Sequence, residues 1–369
     1  MHDGMTGKKK KSALKVASGV PQPASVNERA LEQFRQSRKG IADPEELFSG
    51  IRAGKRKALS QAITLVESAL PEHQLVAQAL ISKCLPFAGN SLRLGITGVP
   101  GAGKSTFIES FGNYLLRSDH RLSILAIDPS SERSGGSILG DKTRMETLAG
   151  AENAFIRPSP SGGNLGGVAR KTRESIILCE AAGYDTIIVE TVGVGQSETT
   201  VHSMVDFFLV LMIPGAGDEL QGMKRGIMEM ADAILINKAD GLNVEPASRA
   251  KTEYSNALHL FPLPPSGWAP QVKTCSSVEG SGIPEVWQMI RDYRKFTLEN
   301  GFFNRRRTGQ STYWMYQTLN EGLKLKFFNN PKVRNRLAEL EKMMVNDQIS
   351  SFAAATELLA NFFPENTSE

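Results

Sequence analysis

Cysteine and histidine are scarce. The 369-residue chain has three cysteines, Cys84, Cys179 and Cys275, and five dispersed histidines, and no C-x-x-C pair occurs. Scattered thiols of this kind argue against a disulfide framework and against a Cys/His metal site. Cys84 and Cys179 fall in apolar helical patterns and read as small core residues. A large excess of one charge is missing too. Lys and Arg number 43 and Asp and Glu 39, a net charge of +4, too small to point to nucleic acid or to an acidic membrane as partner. Much of that excess lies in Lys8-Lys9-Lys10-Lys11, within a Gly/Ser/Lys-rich leader at residues 1–25. The leader has no apolar centre, so it reads as neither a signal peptide nor a transmembrane helix. It also lacks the Arg-rich amphipathic pattern of a transit peptide, and its composition is that of a disordered tail. The cytoplasm is the default compartment on these grounds. No internal repeat is visible.

What the chain does have is concentrated near position 100. Gly98-Val99-Pro100-Gly101-Ala102-Gly103-Lys104-Ser105-Thr106 fits G-x-x-x-x-G-K-[ST], the phosphate-binding loop. The apolar stretch Leu92–Thr97 before it reads as a buried strand, and Phe107–Leu116 after it as an amphipathic helix. That setting is what the chemistry needs. Glycines let backbone N–H groups converge on phosphates, and the helix N-terminus adds positive potential. Lys104 is placed to reach the β- and γ-phosphates, and the Ser105 hydroxyl to meet Mg²⁺. Farther on, strand Ala233–Ile236 runs into Asn237-Lys238-Ala239-Asp240. An Asp at a strand end can accept two hydrogen bonds, from N1–H and the 2-amino group of guanine. Adenine has no donor at either place and would leave the carboxylate unpaired. GTP and GDP are therefore the expected ligands. Lys238 can lie along the base, and Asn237 can tie this loop to the phosphate loop. Ser276 and Ser277, just after strand Gln271–Thr274, complete the assigned nucleotide contacts.

The rest of the pattern surrounds this centre. Residues 26–89 read as a helical region, with a helix start at Asp43-Pro44. Residues 90–298 alternate strands with helices, at Leu92–Thr97, Leu122–Ile127, Thr186–Glu190, Phe207–Ile213, Ala233–Ile236 and Gln271–Thr274. Several strands are almost continuously apolar, as parallel strands covered on both faces are. The fold class is α/β, a doubly wound and mostly parallel sheet. Residues 299–369 read as helical again, with apolar surface that packs either on the sheet or on a second copy of the chain. Three acids stand near the phosphate site. Asp128 and Glu190 end strands, and Asp141 lies in a Gly-rich segment. Each is suited to hold Mg²⁺ or its waters, or alternatively to cap a following helix. Glu190-x-x-Gly193 replaces the commoner Asp-x-x-Gly. The Gly193 N–H can bond the γ-phosphate and let go after hydrolysis, which makes its segment a switch. Gln196 either orients the attacking water or steadies the loop. Pro214 to Lys224 reads as a mobile reporter of nucleotide state or as a long surface loop.

Four segments together resemble one family. They are Asp128-Pro129-Ser130-Ser131, Gly136 to Met145, Glu190 to Glu198, and Asp218-Glu219-Leu220-Gln221-Gly222. They are similar to the MeaB/ArgK-type G-protein chaperones of methylmalonyl-CoA mutase, and the likeness runs from about residue 50 to 363. The resemblance implies a P-loop GTPase core and a homodimer joined through the C-terminal helices. The partner it implies is an adenosylcobalamin-dependent acyl-CoA mutase, with GTP gating delivery and protection of the cofactor, which the partner handles. It matches Lys104 and Ser105 to phosphate and magnesium, Asp128, Asp141 and Glu190 to the acidic site, and Asn237 and Asp240 to guanine. It makes Pro214 to Lys224 the segment that addresses the mutase. Two rivals are weaker. A metal-insertion GTPase for a nickel enzyme calls for a His-rich tract or paired Cys/His ligands, which are missing here. A kinase acting on a transport-related protein calls for an acceptor pocket that no motif supplies.

Overall fold

The computed structural model describes residues 43–128, 145–160, 165–191, 197–215 and 225–362. The leader, Asp141, Gly193, Gln196 and most of the Pro214 to Lys224 segment lie outside these residues. Among the described residues three helices come first: α1 Pro44–Arg52, α2 Arg56–Glu67 and α3 Pro71–Cys84. The Asp43 carboxylate caps α1 by accepting from Glu45 N at 3.1 Å, with Pro44 at the first helical position. Leu47, Ile51, Leu59, Ile63 and Leu80 are buried between the three helices and their neighbours. Arg52 ties this region to the body of the protein by donating to Ala181 O at 2.7 Å.

Seven strands form one sheet: β1 Leu92–Gly98, β2 Leu122–Asp128, β3 Ala154–Pro160, β4 Thr186–Thr191, β5 Phe207–Met212, β6 Ala233–Ile236 and β7 Gln271–Thr274. Their order is β3-β2-β4-β1-β5-β6-β7, and every pair is parallel. Every residue of β4 and β5 is buried, which is why those segments are so continuously apolar. β1 lies at the centre, and the chain leaves it first toward β2 and later toward β5. Such a reversal opens a crevice at the carboxyl ends of the strands, where α/β proteins take their ligands.

The sequence pattern did not disclose β3. Its run Ala154-Phe155-Ile156-Arg157-Pro158-Ser159-Pro160 carries two prolines, which remove ladder donors and argue against an interior strand. The segment escapes that objection because it is an edge, pairing with β2 alone.

Among the described residues the crossover helices are α4 Lys104–Arg117, α5 Glu146–Gly150, α6 Leu165–Ala181, α7 Ser197–His202, α8 Arg225–Met230 and α9 Val244–Leu258. After β7 come α10 Ile283–Glu299, the long α11 Phe302–Asn329, α12 Pro331–Val345 and α13 Ser351–Phe362. α11 carries the triplet Arg305-Arg306-Arg307 in its first turns. Two of those arginines turn inward: Arg306 meets Asp232 at 3.3 Å and Arg307 meets Asp206 at 2.6 Å. α12 and α13 close a small core of their own around Val333, Leu340, Ala354 and Leu358, with Phe327 and Leu337 packed against it. The outer face of α11 is left apolar and open, with Tyr316, Leu319 and Leu325 more than half exposed. Among the described residues no helix is long and apolar enough to cross a membrane.

Candidate nucleotide site

The phosphate loop connects the end of β1 to the start of α4. Its glycines are set by contact as much as by dihedral angle. A Cβ on Gly98 would lie 2.3 Å from the carbonyl oxygen of Leu211 in the adjacent strand, so no other residue fits. Gly103 has φ +81°, and a Cβ there would lie 2.9 Å from Asn237 Nδ2. The loop is thus folded tightly against β5 and against the segment after β6. Lys104 curls back over the loop and donates from Nζ to Gly98 O at 2.9 Å.

The segment after β6 is built as a second half of the same structure. Asn237, fully buried, donates from Nδ2 to Ala102 O at 2.8 Å. Its Oδ1 accepts from Ser277, 2.7 Å from Oγ and 3.2 Å from the backbone N. Asp240 Oδ2 accepts from Ser276 Oγ at 2.5 Å, and that hydroxyl in turn accepts from Glu279 N at 3.1 Å. Ser276 and Ser277, assigned from sequence as nucleotide contacts, here spend their hydroxyls on orienting Asp240 and Asn237. Between these two, Lys238 adopts φ +58°, a left-handed conformation rare for a side chain of this size. It is exposed, and its aliphatic chain passes near Gly103.

The acids are placed unequally. Glu190, near the end of β4, is 3% exposed, and Ser105 donates to its Oε1 across a long 3.5 Å. Thr191 and Thr97 bridge β4 and β1 beside it at 2.8 Å. Asp128 is the last residue of β2, one step beyond the Ile127–Thr191 pair, so its backbone reaches the same edge of the sheet as Glu190.

A profile of the family described as Methylmalonyl Co-A mutase-associated GTPase MeaB matches residues 59–332. The chain belongs to this family. A putative GTPase of Caulobacter vibrioides is 51% identical over 320 residues, covering 87% of this chain and 98% of that one. GTPase ArgK of Escherichia coli is 51% identical over 285 residues, 77% of this chain and 86% of that one. The mouse methylmalonic aciduria type A homolog, a mitochondrial protein, is 44% identical over 338 residues, 88% of this chain and 81% of that one. A crystal structure described as a LAO/AO transport system kinase superposes with a TM-score of 0.70 at 40% identity, covering 89% of this chain and 99% of that one.

As a MeaB-family GTPase, the chain binds guanine nucleotide, and one electrostatic feature of its loop had no single-residue signal in the sequence. Burial lowers the pKa of Lys104, while Glu190 and Glu198 pull it back up. Glu198, on α7, is 1% exposed. The net effect is a lowering, by burial first, that the charges of two buried carboxylates oppose. Glu198 belongs to the segment that carries the family resemblance, but only the folded chain brings it to Lys104. The pairing of the Ser105 hydroxyl with a buried carboxylate also fits magnesium. Mg²⁺ prefers hard oxygen donors and takes few from protein, leaving the remainder to phosphate and water.

Proposed function

We propose that the chain is a G-protein chaperone of an adenosylcobalamin-dependent acyl-CoA mutase, methylmalonyl-CoA mutase in the first instance. In this reading, GTP binding and hydrolysis gate delivery of the cofactor and protect the loaded enzyme. The observation that carries it is the match to a mutase-associated GTPase family across residues 59–332. The relatives named for methylmalonic aciduria type A support the same reading.

We assign the residue roles from the motifs; Asp141, Gly193 and Gln196 lie outside the described residues. Lys104 and the N–H groups of Gly101 to Thr106 would cradle the phosphates, with Gly193 on the γ-phosphate. Asp240 would read guanine, Lys238 would lie along the base, and Asn237, Ser276 and Ser277 would hold both in place. Ser105 and Glu190, with Asp128 and Asp141, would hold Mg²⁺, which when bound neutralises charge on the phosphate oxygens. Gln196 would orient the attacking water. The phosphate loop and the Asn237–Asp240 segment carry no arginine, so charge on the transferring phosphoryl group is poorly neutralised by the chain alone. Intrinsic hydrolysis is therefore expected to be slow and to rise when a mutase docks. The working compartment in this reading is the cytoplasm, and the working form a homodimer joined through the C-terminal helices.

The test is GTPase rate with and without an acyl-CoA mutase. Lys104→Ala should abolish turnover, and Glu190→Ala should cut it sharply while largely sparing GDP binding. Replacing Asp218, Glu219 and Lys224 together with alanine should leave the intrinsic rate nearly intact and remove most of the stimulation. Fast turnover that no mutase accelerates would sink the chaperone reading. The description of the structural neighbour as a kinase favours a second reading, transfer to a protein acceptor. Phosphate release with no acceptor present separates the two.

A further inference from the structure

A cavity of about 320 Å³ opens at the far edge of the sheet from the phosphate loop, between α6, α11, the start of β1 and the loop at 85–89. β1 has seven residues, so the two sites are about 20 Å apart along the strand. Three guanidinium groups line the cavity, those of Arg93, Arg173 and Arg307. Two of them are matched. Arg93 forks onto Glu180 with bonds of 2.9 and 3.0 Å. Arg307 forks onto Asp206 with bonds of 2.8 and 2.6 Å, and also donates to Ser91 O at 2.7 Å.

Arg173 is different. Its guanidinium is stacked on the Trp314 ring, 3.9 Å from the centroid. Its Nε–H is buried with no acceptor among the described residues. The neighbouring acid, Glu174, is engaged by Arg170 at 3.1 Å, while its charge and that of Glu321 act on Arg173 without a hydrogen bond to it among the described residues. Burial brings the Arg173 pKa down to about 10, which leaves it a cation at neutral pH. Gln310 carries the complementary deficit. Its Nε2 donates to Val205 O at 2.9 Å, which fixes the amide and leaves Oε1 buried without a donor. The remaining lining is largely apolar, including Ile176 and Met204. A buried guanidinium N–H with no acceptor and a buried amide oxygen with no donor among the described residues are each costly.

We propose that this cavity binds a small organic carboxylate. The carboxylate takes the planar fork of Arg173, and the apolar body lies against Ile176 and Met204. A guanidinium fork matches a carboxylate in two parallel hydrogen bonds. The volume sits at the lower end of small-molecule sites, which excludes a nucleotide or coenzyme. Two of the three cations are already neutralised, so a single negative charge suits the cavity better than a phosphate dianion.

The experiment uses the full chain with GDP and Mg²⁺, titrated with 3-hydroxybutyrate, its neutral amide and inorganic phosphate. Binding is followed by saturation-transfer NMR and by the indole N–H resonance of Trp314, assigned with Trp314→Phe. The carboxylate should bind saturably and move that resonance, with the amide and phosphate weaker by about tenfold or more. Arg173→Gln should weaken the carboxylate about tenfold or more and leave GDP affinity unchanged. Arg173→Lys, which keeps the charge but loses the fork, should fall between. No saturable binding of the carboxylate, equal binding of the amide or phosphate, or undiminished binding by Arg173→Gln would overturn the proposal. If Arg173→Gln does not fold, the Arg173→Lys titration decides, and affinity equal to wild type overturns the assignment.

Discussion

At the residue scale the site rests on a few side chains that orient one another. Ser276 holds Asp240, Ser277 holds Asn237, and Asn237 holds the phosphate loop through Ala102 O. In the proposed role, Asp240 reads guanine with a carboxylate that Ser276 already orients. Asp240→Asn replaces one of two acceptors with an N–H donor facing the donors of the base. The loss is expected to be about 2–3 kcal/mol, a fall in GDP affinity of about 30- to 150-fold. ADP affinity should barely change. Calorimetric titration with both nucleotides measures this, and a wild-type chain that binds GDP and ADP equally would remove the guanine reading.

At the element scale, α7 and α11 meet at the lower edge of the sheet. His202 ends α7, its ring edge-on to Phe208 at 5.5 Å. Burial, and then the charge of Arg306 on α11, press its pKa from 6.5 down to about 3. The unfolded chain therefore binds a proton on this residue at about pH 6.5, and the folded chain does not until about pH 3. This contribution to stability is intact above pH 6.5 and is lost as pH falls toward 3, by about 1.4 kcal/mol per unit. Between pH 6.5 and 5 wild type should lose about 2 kcal/mol more than His202→Gln. Urea unfolding at a series of pH values tests it, and parallel stability curves for the two proteins would show that His202 is not the titrating group.

At the scale of the whole molecule, the C-terminal helices divide their apolar surface. One part closes the hairpin core around Val333 and Leu340. The other, on α11, leaves Tyr313, Tyr316, Leu319 and Leu325 exposed within a single chain. Contiguous exposed apolar surface of that kind is costly in water and marks an interaction face. The homodimer proposed above would cover it. Wild type should sediment as a dimer, and the double variant Tyr316→Glu, Leu319→Glu as a monomer with its intrinsic GTPase rate retained. A variant that remains dimeric would place the seam elsewhere.

Much of this protein is determined locally and can be read without a structure. The phosphate loop and the Asn237–Asp240 segment are short runs whose chemistry depends on residues a few positions apart. Strands β4 and β5 are legible because burial on both faces demands continuous apolar sequence. Other features depend on which segments meet. β3 forms despite its prolines because its outer edge needs no donors. Within the basic run Arg305-Arg306-Arg307, the partners of Arg306 and Arg307 are Asp232 and Asp206, at the starts of two distant strands. Glu198 and Glu190 come to Lys104 only when α7 and β4 are placed against the loop. Arg173 and Gln310 are separated by more than a hundred positions, yet they line one cavity. Local periodicity follows from backbone geometry repeated every two or nearly four residues. Pairing between distant charges follows from the order of the strands, which no local period encodes.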